Sequence, residues 1–524
     1  MSATTGALVE HLEVMTGAYH DSVTLMQVSR SASAVAGVDA ALVGMGTELN
    51  LDLLAGMGFA VPDGTGPNDL VVAVRAVDDG ALQAALAAAQ AALAGPGPAS
   101  SAAGVPALVP RTTGTAARAA AARGTPATLA LISVPGPHAF TEAMDALDAG
   151  LHVMVFSDNV PLEQEVALKE AAARRGLLVM GPDCGTAVVG GVGLGFANVV
   201  RPGPVGLVAA SGTGAQQVMC LLDGAGIGVR HCLGVGGRDL SAAVAGRSTR
   251  QALALLDADP DVELIVVVSK PPAPDVAREV EAMAAKLSTP VQLALLGPCQ
   301  PDLTVAAATA AGTLGVPWRP PRSWPGPPSA DAGYGSLRGA FSGGTLCDEA
   351  MLVASRSLGP LASNIPLPGA PRLDLAQITG ALPGRERPPP AAGRPGIGHA
   401  MVDFGDDELT RGRPHPMIDN SLRAEWMLAQ AAQPDVGVLL LDVVLGHGAH
   451  PDPAADLAEA IGRAREVSAA SGHEVAVVVS LCGTEADPQG LSRQAERLVA
   501  AGASVHLSNA DAARAAVQLL IPAG

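Results

Sequence analysis

Aromatic side chains are nearly missing: tryptophan, tyrosine and phenylalanine make up 2% of a 524-residue chain that is otherwise 48% hydrophobic. Burial must therefore come from alanine, valine and leucine layers, the composition expected where parallel strands are covered by alanine-rich helices. Positive charge is also scarce. The 32 lysines and arginines are scattered among 50 acids with no basic run, and the formal net charge of −18 argues against a nucleic-acid or anionic-membrane surface. A phosphate-sized ligand would have to be caught locally. The six cysteines (Cys184, Cys220, Cys232, Cys299, Cys347 and Cys482) form no CxxC pair, and the N-terminus has no charged-then-apolar leader. No apolar run approaches the roughly 20 residues needed to span a bilayer. A reduced, cytoplasmic, metal-free protein is the expectation.

What the chain has is length and alternation. At 524 residues it exceeds what one hydrophobic core organises, and three or four domains are expected. Proline- and glycine-rich stretches at 95–110, 317–328 and 383–395 punctuate it, the second as the main interdomain linker and the third as a surface loop. Residues 19–110 mix short apolar runs with helical stretches, the last at 81–93, and predict a small α/β domain of possibly ferredoxin-like type. From 127 onward strands and helices alternate (helices at 138–149, 161–175, 247–256, 274–287, 453–467 and 489–501), which calls for doubly wound parallel sheets. The expected domains are a Rossmann-type unit at 111–202, a flavodoxin-like unit at 203–316, a linker at 317–332 and a second flavodoxin-like unit at 333–524. Ligands in such sheets gather at the carboxyl ends of the strands, where the unusual glycines of this chain fall.

Two of these junctions read as a buried strand running through a glycine turn into a helix: VGLVAASGTGAQQVM at 205–219 and VGVLLLDVVLGHGAHPDPAADLAEAI at 436–461. The first turn of a helix leaves N–H groups unpaired at the positive end of its dipole, which suits an anion. Ser211, Gly212, Thr213 and Gly214 at the first junction, and Gly446, Gly448 and Ala449 at the second, are candidate phosphate ligands. An ordinary N-capped turn stays open as the alternative for the first. His447 and His450 stand at i, i+3 in the second loop and suit a proton donor, base or nucleophile; no third metal ligand is marked beside them. Arg413, His415 and Asp419 are fixed among prolines in GRPHPMID, where arginine suits a bidentate grip on an oxyanion, and a structural Arg–Asp pair is the alternative. Asp183 and Cys184 (GPDCG), Gly236, Gly237 and Arg238 (GGRD), and Ser342, Gly343 and Gly344 (FSGGT) end further strands and are candidate substrate contacts.

Taken in order, GPDCG, SGTG, GVGGRD and LIVVVSK resemble the α subunit of succinyl-CoA synthetase over about 127–300. FSGGTLCDEAM and LDVVLGHGAH resemble the carboxy-terminal ligase domain of that enzyme's β subunit over about 333–524. Nearly the whole chain resembles the FdrA family, through YHDSVTLMQVSR, GPNDLVVAVRA, VMVFSDNV, MGPDCGT, FSGGTLC, GRPHPMID, LDVVLGHGAHPDP and SLCGTE. The departures from the synthetase matter as much. Its phosphohistidine loop is replaced by Gly297-Pro298-Cys299, the ATP-grasp half has no counterpart, and the glycine-rich CoA loop is missing, which argues against CoA as a cofactor.

The resemblance implies a CoA-ligase scaffold that keeps an acyl-phosphate site without nucleotide or phosphoenzyme. It implies carbamoyl phosphate or phosphate as the ligand, and two companion subunits in an oxamate carbamoyltransferase of allantoin breakdown. The alternatives are an ADP-forming acyl-CoA synthetase subunit with a separate ATP-grasp partner, and a non-catalytic scaffold. On the favoured reading Arg413 and the helix dipoles stabilise the leaving phosphate, and His450 or His447 moves the proton.

Overall fold

The computed structural model describes residues 8–18, 20, 22–62, 64–94, 110–327, 335–380, 398–410 and 413–521. Two of the three punctuating stretches, 95–110 and 383–395, lie almost wholly outside these residues. The chain forms two compact units, Met1–Val109 with Arg411–Pro414, and Pro110–Thr410 with His415–Gly524.

The N-terminal unit runs β1 (Val9–Met15), α1 (Ser22–Ser33), β2 (Val38–Met45), α2 (Glu48–Gly56), β3 (Leu70–Ala76), α3 (Asp79–Ala94). β3 lies between β1 and β2 and is antiparallel to both, the arrangement of a split β-α-β unit. Strand periodicity explains its two cores. Leu70, Val72, Val74 and Ala76 pack with Leu25, Val28, Leu82 and Ala85 of α1 and α3, whereas Val71 and Ala73 face the other way, toward Leu54 of α2 and Phe59.

The larger unit opens with α4 (Thr113–Ala122), whose start is closed by a Thr112–Thr115 capping box. Then follow β4 (Leu129–Ile132), α5 (Gly136–Asp148), β5 (His152–Val155), α6 (Leu162–Arg175) and β6 (Val179–Met180), a three-stranded parallel sheet. The hairpin β7 (Thr186–Val189) and β8 (Val192–Gly195) does not join that sheet. It extends the next one, so the Rossmann-type sheet ends at β6 and not near residue 202.

That second sheet holds β9 (Val205–Ala210), α7 (Gly212–Gly224), β10 (Val229–Gly234), α8 (Arg247–Asp257), β11 (Leu264–Ser269), α9 (Pro274–Ala284), β12 (Val291–Leu295) and α10 (Leu303–Thr313), in strand order β12-β11-β9-β10-β7-β8. β9 and β11 are buried along their whole length, as central parallel strands must be when helices cover both faces.

Inside the expected linker a short strand, β13 (Ser323–Trp324), pairs antiparallel with β18 at the edge of the third sheet. Prolines flank it on both sides, and an edge strand tolerates the missing N–H groups. The rest of that sheet comprises β14 (Ser336–Phe341), α11 (Gly344–Leu358), α12 (Leu375–Thr379), β15 (Ala400–Asp403), α13 (Asp407–Thr410), α14 (Ser421–Ala431), β16 (Val436–Val444), α15 (Pro453–Ala470), β17 (Ala476–Cys482), α16 (Leu491–Ala500), β18 (Ala503–His506) and α17 (Asn509–Gln518). Its strand order is β13-β18-β17-β16-β14-β15, parallel apart from β13. Aliphatic side chains and alanines fill the cores, with few rings. Among the described residues no helix is long and apolar enough to cross a membrane.

Candidate functional site

The carboxyl ends of β9 and β14 bring the starts of α7 and α11 into direct contact. Ser211 Oγ lies 2.7 Å from Thr345 Oγ1 and also accepts the Gly214 N–H at 3.0 Å. No side chain fits between the two turns. A Cβ on Gly343 would stand 2.6 Å from Thr213 Oγ1, and one on Gly214 would stand 2.9 Å from Thr345 Cγ2. Glycine is needed here for approach and not for backbone angle.

The start of α11 is held from below. Asp442, fully buried on β16, accepts the Ser342 N–H at 2.6 Å and Ser342 Oγ at 2.9 Å on one oxygen, and the Gly343 N–H at 2.9 Å on the other. Arg423 closes this support, its NH1 donating to Asp442 Oδ1 at 2.6 Å, with the two side chains 2% and 0% exposed. The next donors in each helix are left over: the amides of Gly212 and Thr213, and those of Gly344 and Thr345, have no hydrogen-bond partner among the described residues. Two positive helix ends with four unpartnered N–H groups are therefore brought side by side.

Lys270, directly after β11, stands beside the second of these. A Cβ on Gly344 would lie 2.9 Å from Lys270 Nζ and 2.6 Å from Asp403 Oδ2, so the ammonium and one carboxylate flank the α11 start. Nζ has no hydrogen bond or ion pair of its own among the described residues. Burial opposes its charge, but the carboxylates of Asp348, Asp403 and Asp183 outweigh burial, and its pKa stands above the usual lysine value. The side chain is thus an ammonium, not a neutral nucleophile.

The carboxylates respond in the opposite direction. Burial, reinforced by Asp407 and Asp158 and countered by Lys270 and Arg238, pushes Asp183 up to about 7. Asp183 is nevertheless open to solvent, which fits a group on the wall of a crevice. Burial takes Asp403 to about 7 and Asp348 to about 6, with Lys270 opposing both. It also takes Glu349 to about 7, away from the crevice, where Asn509 and the Leu303 amide hold it. A carboxyl whose pKa is raised on folding binds its proton more tightly in the native state. Its stabilising effect is present at low pH and is lost as pH rises from the unfolded value near 4 through 6 to 7. The thermal unfolding midpoint is accordingly expected to rise as the pH is lowered from about 8 to about 5.5, measured by scanning calorimetry in buffers of constant ionic strength.

The other candidate residues divide. Gly236 packs so closely on the GPDCG turn that a Cβ would meet Pro182 O at 2.5 Å, so the Gly236-Gly237-Arg238 and Asp183-Cys184 turns do meet. Arg238 is fixed by Glu165 at 2.9 Å and by Val160 O. Cys184 is a packing residue, since burial raises its thiol far above the ordinary range. His415 is neutral: burial, then the Arg423 charge, lowers it to about 4. Its Nδ1 accepts the Met417 N–H, which leaves Nε2 as a donor beside Gly405. Asp419 turns back onto Ser421 at the start of α14, and Arg413 is exposed in the segment grouped with the N-terminal unit.

The second junction departs from expectation. The Gly446 N–H is bound by Gln489 and the His447 N–H by Ala197 O, and Gly448 lies against Phe196. Pro453, the first residue of α15, has no N–H, and the Ala454 N–H is taken by Gln494. Gly446 is therefore spent in a packed turn, whereas the Gly448 and Ala449 amides have no hydrogen-bond partner among the described residues; the turn that meets SGTG is FSGGT. His450 accepts the Asp452 N–H on Nδ1 at 2.9 Å, and its Nε2 sits 3.1 Å from the Asp456 carboxylate. Nε2 is buried without a hydrogen-bond partner among the described residues, so only Nδ1 ties the ring to the start of α15. His447 is exposed.

Two family models match the chain. Residues 7–106 match the family model described as AllF, heavy metal-associated domain, and residues 340–519 match that of CoA-ligase. The chain is 29% identical over 179 residues to the ADP-forming sulfoacetate-CoA ligase subunit SauD of Bilophila wadsworthia, a match covering 33% of this chain and 60% of that subunit. Among solved structures, the dinucleotide-forming acetyl-coenzyme A synthetase 1 of Ca. Korarchaeum cryptofilum, in complex with phosphate and ADP, aligns over 75% of this chain and 82% of its own at 17% identity and a TM-score of 0.28.

Fold and domains define an α/β protein of the CoA-ligase type with an AllF-type N-terminal domain. The chain belongs to the same family as YahF of Escherichia coli K12, an uncharacterized protein to which it is 35% identical over 521 residues, covering 92% of this chain and 93% of that one.

Neither group that these names imply fits the residues present. For a heavy metal, the first cysteine of the chain is Cys184, outside the N-terminal domain, and among the described residues no three His, Cys, Asp or Glu side chains converge. CoA would be expected to meet a helix start of the Rossmann-type unit with its pyrophosphate. At α5, Pro137 has no N–H, the His138 N–H bonds to Pro135 O, and a Cβ on Gly136 would touch the carbonyl oxygens of Asp158 and Asn159 at 2.3 and 2.7 Å. That helix start offers an anion little room and few donors.

Proposed function

We propose that this chain is the oxyanion-binding subunit of a carbamoyl- or acyl-phosphate transferase, with oxamate carbamoyltransferase in allantoin breakdown as the particular reaction. The observation that carries the reading is the unpartnered Lys270 ammonium beside the apposed starts of α7 and α11. The AllF description of the N-terminal family model agrees with it. Four amides and an ammonium suit the phosphate of a mixed anhydride, bound through oxygens that gain charge as the carbon–oxygen bond breaks; preorganised donors of this kind are the largest single contribution in many acyl transfers. His415 Nε2–H is a neutral donor at the crevice edge. Companion subunits supply the acceptor side and the remainder of the active centre. A second reading, one subunit of an ADP-forming CoA ligase, is favoured by the match to SauD and disfavoured by the crowded α5 start.

Calorimetric titration tests both. Inorganic phosphate is expected to bind the purified chain in the millimolar range or tighter, and CoA to give no heat. Ser211→Ala, which removes the hydroxyl joining the two helix starts, is expected to weaken phosphate by roughly three- to tenfold, the value of one lost hydrogen bond. Absence of phosphate binding together with saturable CoA binding would replace the first reading with the second.

A further inference from the structure

Asp403 ends β15 with its two carboxylate oxygens in different surroundings. Its backbone is clamped by Asn364, which donates to Asp403 O at 2.8 Å and accepts the Asp403 N–H at 2.9 Å. Oδ1 accepts the Gly405 N–H at 2.9 Å, which fixes the plane of the carboxylate. Oδ2 is turned to the α11 start beside Lys270 Nζ and has no hydrogen-bond partner among the described residues. Asp348, on the first turns of α11, is only 8% exposed, and its carboxylate likewise has no hydrogen bond or ion-pair partner among the described residues. Asp348 without any donor, and Asp403 with one oxygen unpaired, leave acceptor capacity that a ligand bearing donors would fill.

We propose that Asp403 is the proton acceptor for an uncharged N–H nucleophile attacking the acyl phosphate held at Lys270. The proposal rests on the oxyanion reading above and assigns its acid–base residue. In the step, the acceptor's amide nitrogen forms a bond to the carbonyl carbon. The bond from that carbon to the phosphate oxygen breaks, and its electron pair leaves on the phosphate, which Lys270 and the four amides hold. The nitrogen's proton passes to Asp403 Oδ2 and from there to the departing phosphate. Asp348 beside this path disfavours a thiolate or carboxylate nucleophile, which would meet like charge, and favours an amide, which brings donors. The charged and titratable groups facing Asp403 are Lys270 after β11, Asp348 and Cys347 on α11, Asp406 on its own loop, Asp183 after β6 and His415 across Gly405. Burial, countered by Lys270 and the Gly405 N–H and reinforced by Asp406 and Asp348, puts Asp403 at about 7, where a general base works best near neutral pH.

Sulfate is the appropriate probe, since it does not itself titrate near neutrality. Calorimetry at pH 7.5 in two buffers of different ionisation enthalpy should show the wild-type protein taking up about half a proton per sulfate, because a bound anion raises a neighbouring carboxyl's pKa. Asp403→Asn should bind sulfate at least as tightly and lose most of that uptake, whereas Asp403→Glu should retain it. With the companion subunits, turnover of Asp403→Asn should fall by about 10²- to 10⁴-fold and lose the limb of its pH profile near 7. Unchanged uptake or unchanged turnover in Asp403→Asn overturns the assignment. Absence of saturable sulfate binding in the wild-type protein overturns the oxyanion reading beneath it, so the two failures are distinct.

Discussion

Lys270→Met is expected to bind inorganic phosphate about 10- to 100-fold more weakly than the wild-type protein, with the fold intact. A charge-assisted hydrogen bond to an oxyanion is worth about 1.5–3 kcal/mol, which converts to that range. Methionine keeps much of the length and volume of the lysine stem, so the packing against Gly344 survives. Among the described residues the lysine has no ion pair whose rupture would strand a partner. Its loss would instead let Asp348, Asp403 and Asp183 rise further in pKa and stay protonated to higher pH, which relieves their mutual repulsion. Titration calorimetry with a parallel thermal melt checks both halves of this expectation. Unaltered phosphate affinity would show that the helix starts alone hold the anion, and a collapsed melt would show that Lys270 is chiefly structural.

Asp442→Ala is expected to have the largest effect on stability, a loss of about 3–5 kcal/mol in chemical denaturation. Removing one partner of a buried pair leaves the other charge uncompensated. Here Arg423 would be stranded at 2% exposure with only carbonyl and Asn420 acceptors. The amides of Ser342 and Gly343 would also lose their acceptor. The change acts on the site as well, because those amides fix where α11 begins. Combining Asp442→Ala with Arg423→Leu should recover part of the stability without restoring phosphate binding. Recovery of neither would place the damage in the α11 turn and not in the stranded guanidinium.

The architecture was largely legible because periodicity is a local property. The expected helix at 161–175 is observed as Leu162–Arg175 and that at 247–256 as Arg247–Asp257. The two elements that escaped are short and depend on distant partners. β13 is two residues between prolines, and it exists because β18 offers an open edge. The β7–β8 hairpin carries a Gly190-Gly191 turn signal, yet nothing nearby tells which sheet it joins.

The site was legible in its glycines and not in its charges. Ser211–Gly214 and Ser342–Gly344 announce helix starts in their own sequence. Their pairing does not, because it is set by which strands end side by side. Lys270 is a single lysine after a strand, without a motif. It becomes notable only when Asp183, Asp348 and Asp403, which come from three other elements, surround it. His450 misled for the converse reason. Its loop looks like an anion turn, but Asp452, two residues on, occupies Nδ1, and Nε2 is buried 3.1 Å from the Asp456 carboxylate.

The Ser211–Thr345 contact joins hydroxyls 134 residues apart on a single chain. Had the two helix starts belonged to separate polypeptides, the anion pocket would exist only in the associated fraction and would vanish on dilution. Tethering turns that encounter into a first-order event at a high effective concentration. Apposition of the two helix starts in this protein is therefore insensitive to expression level.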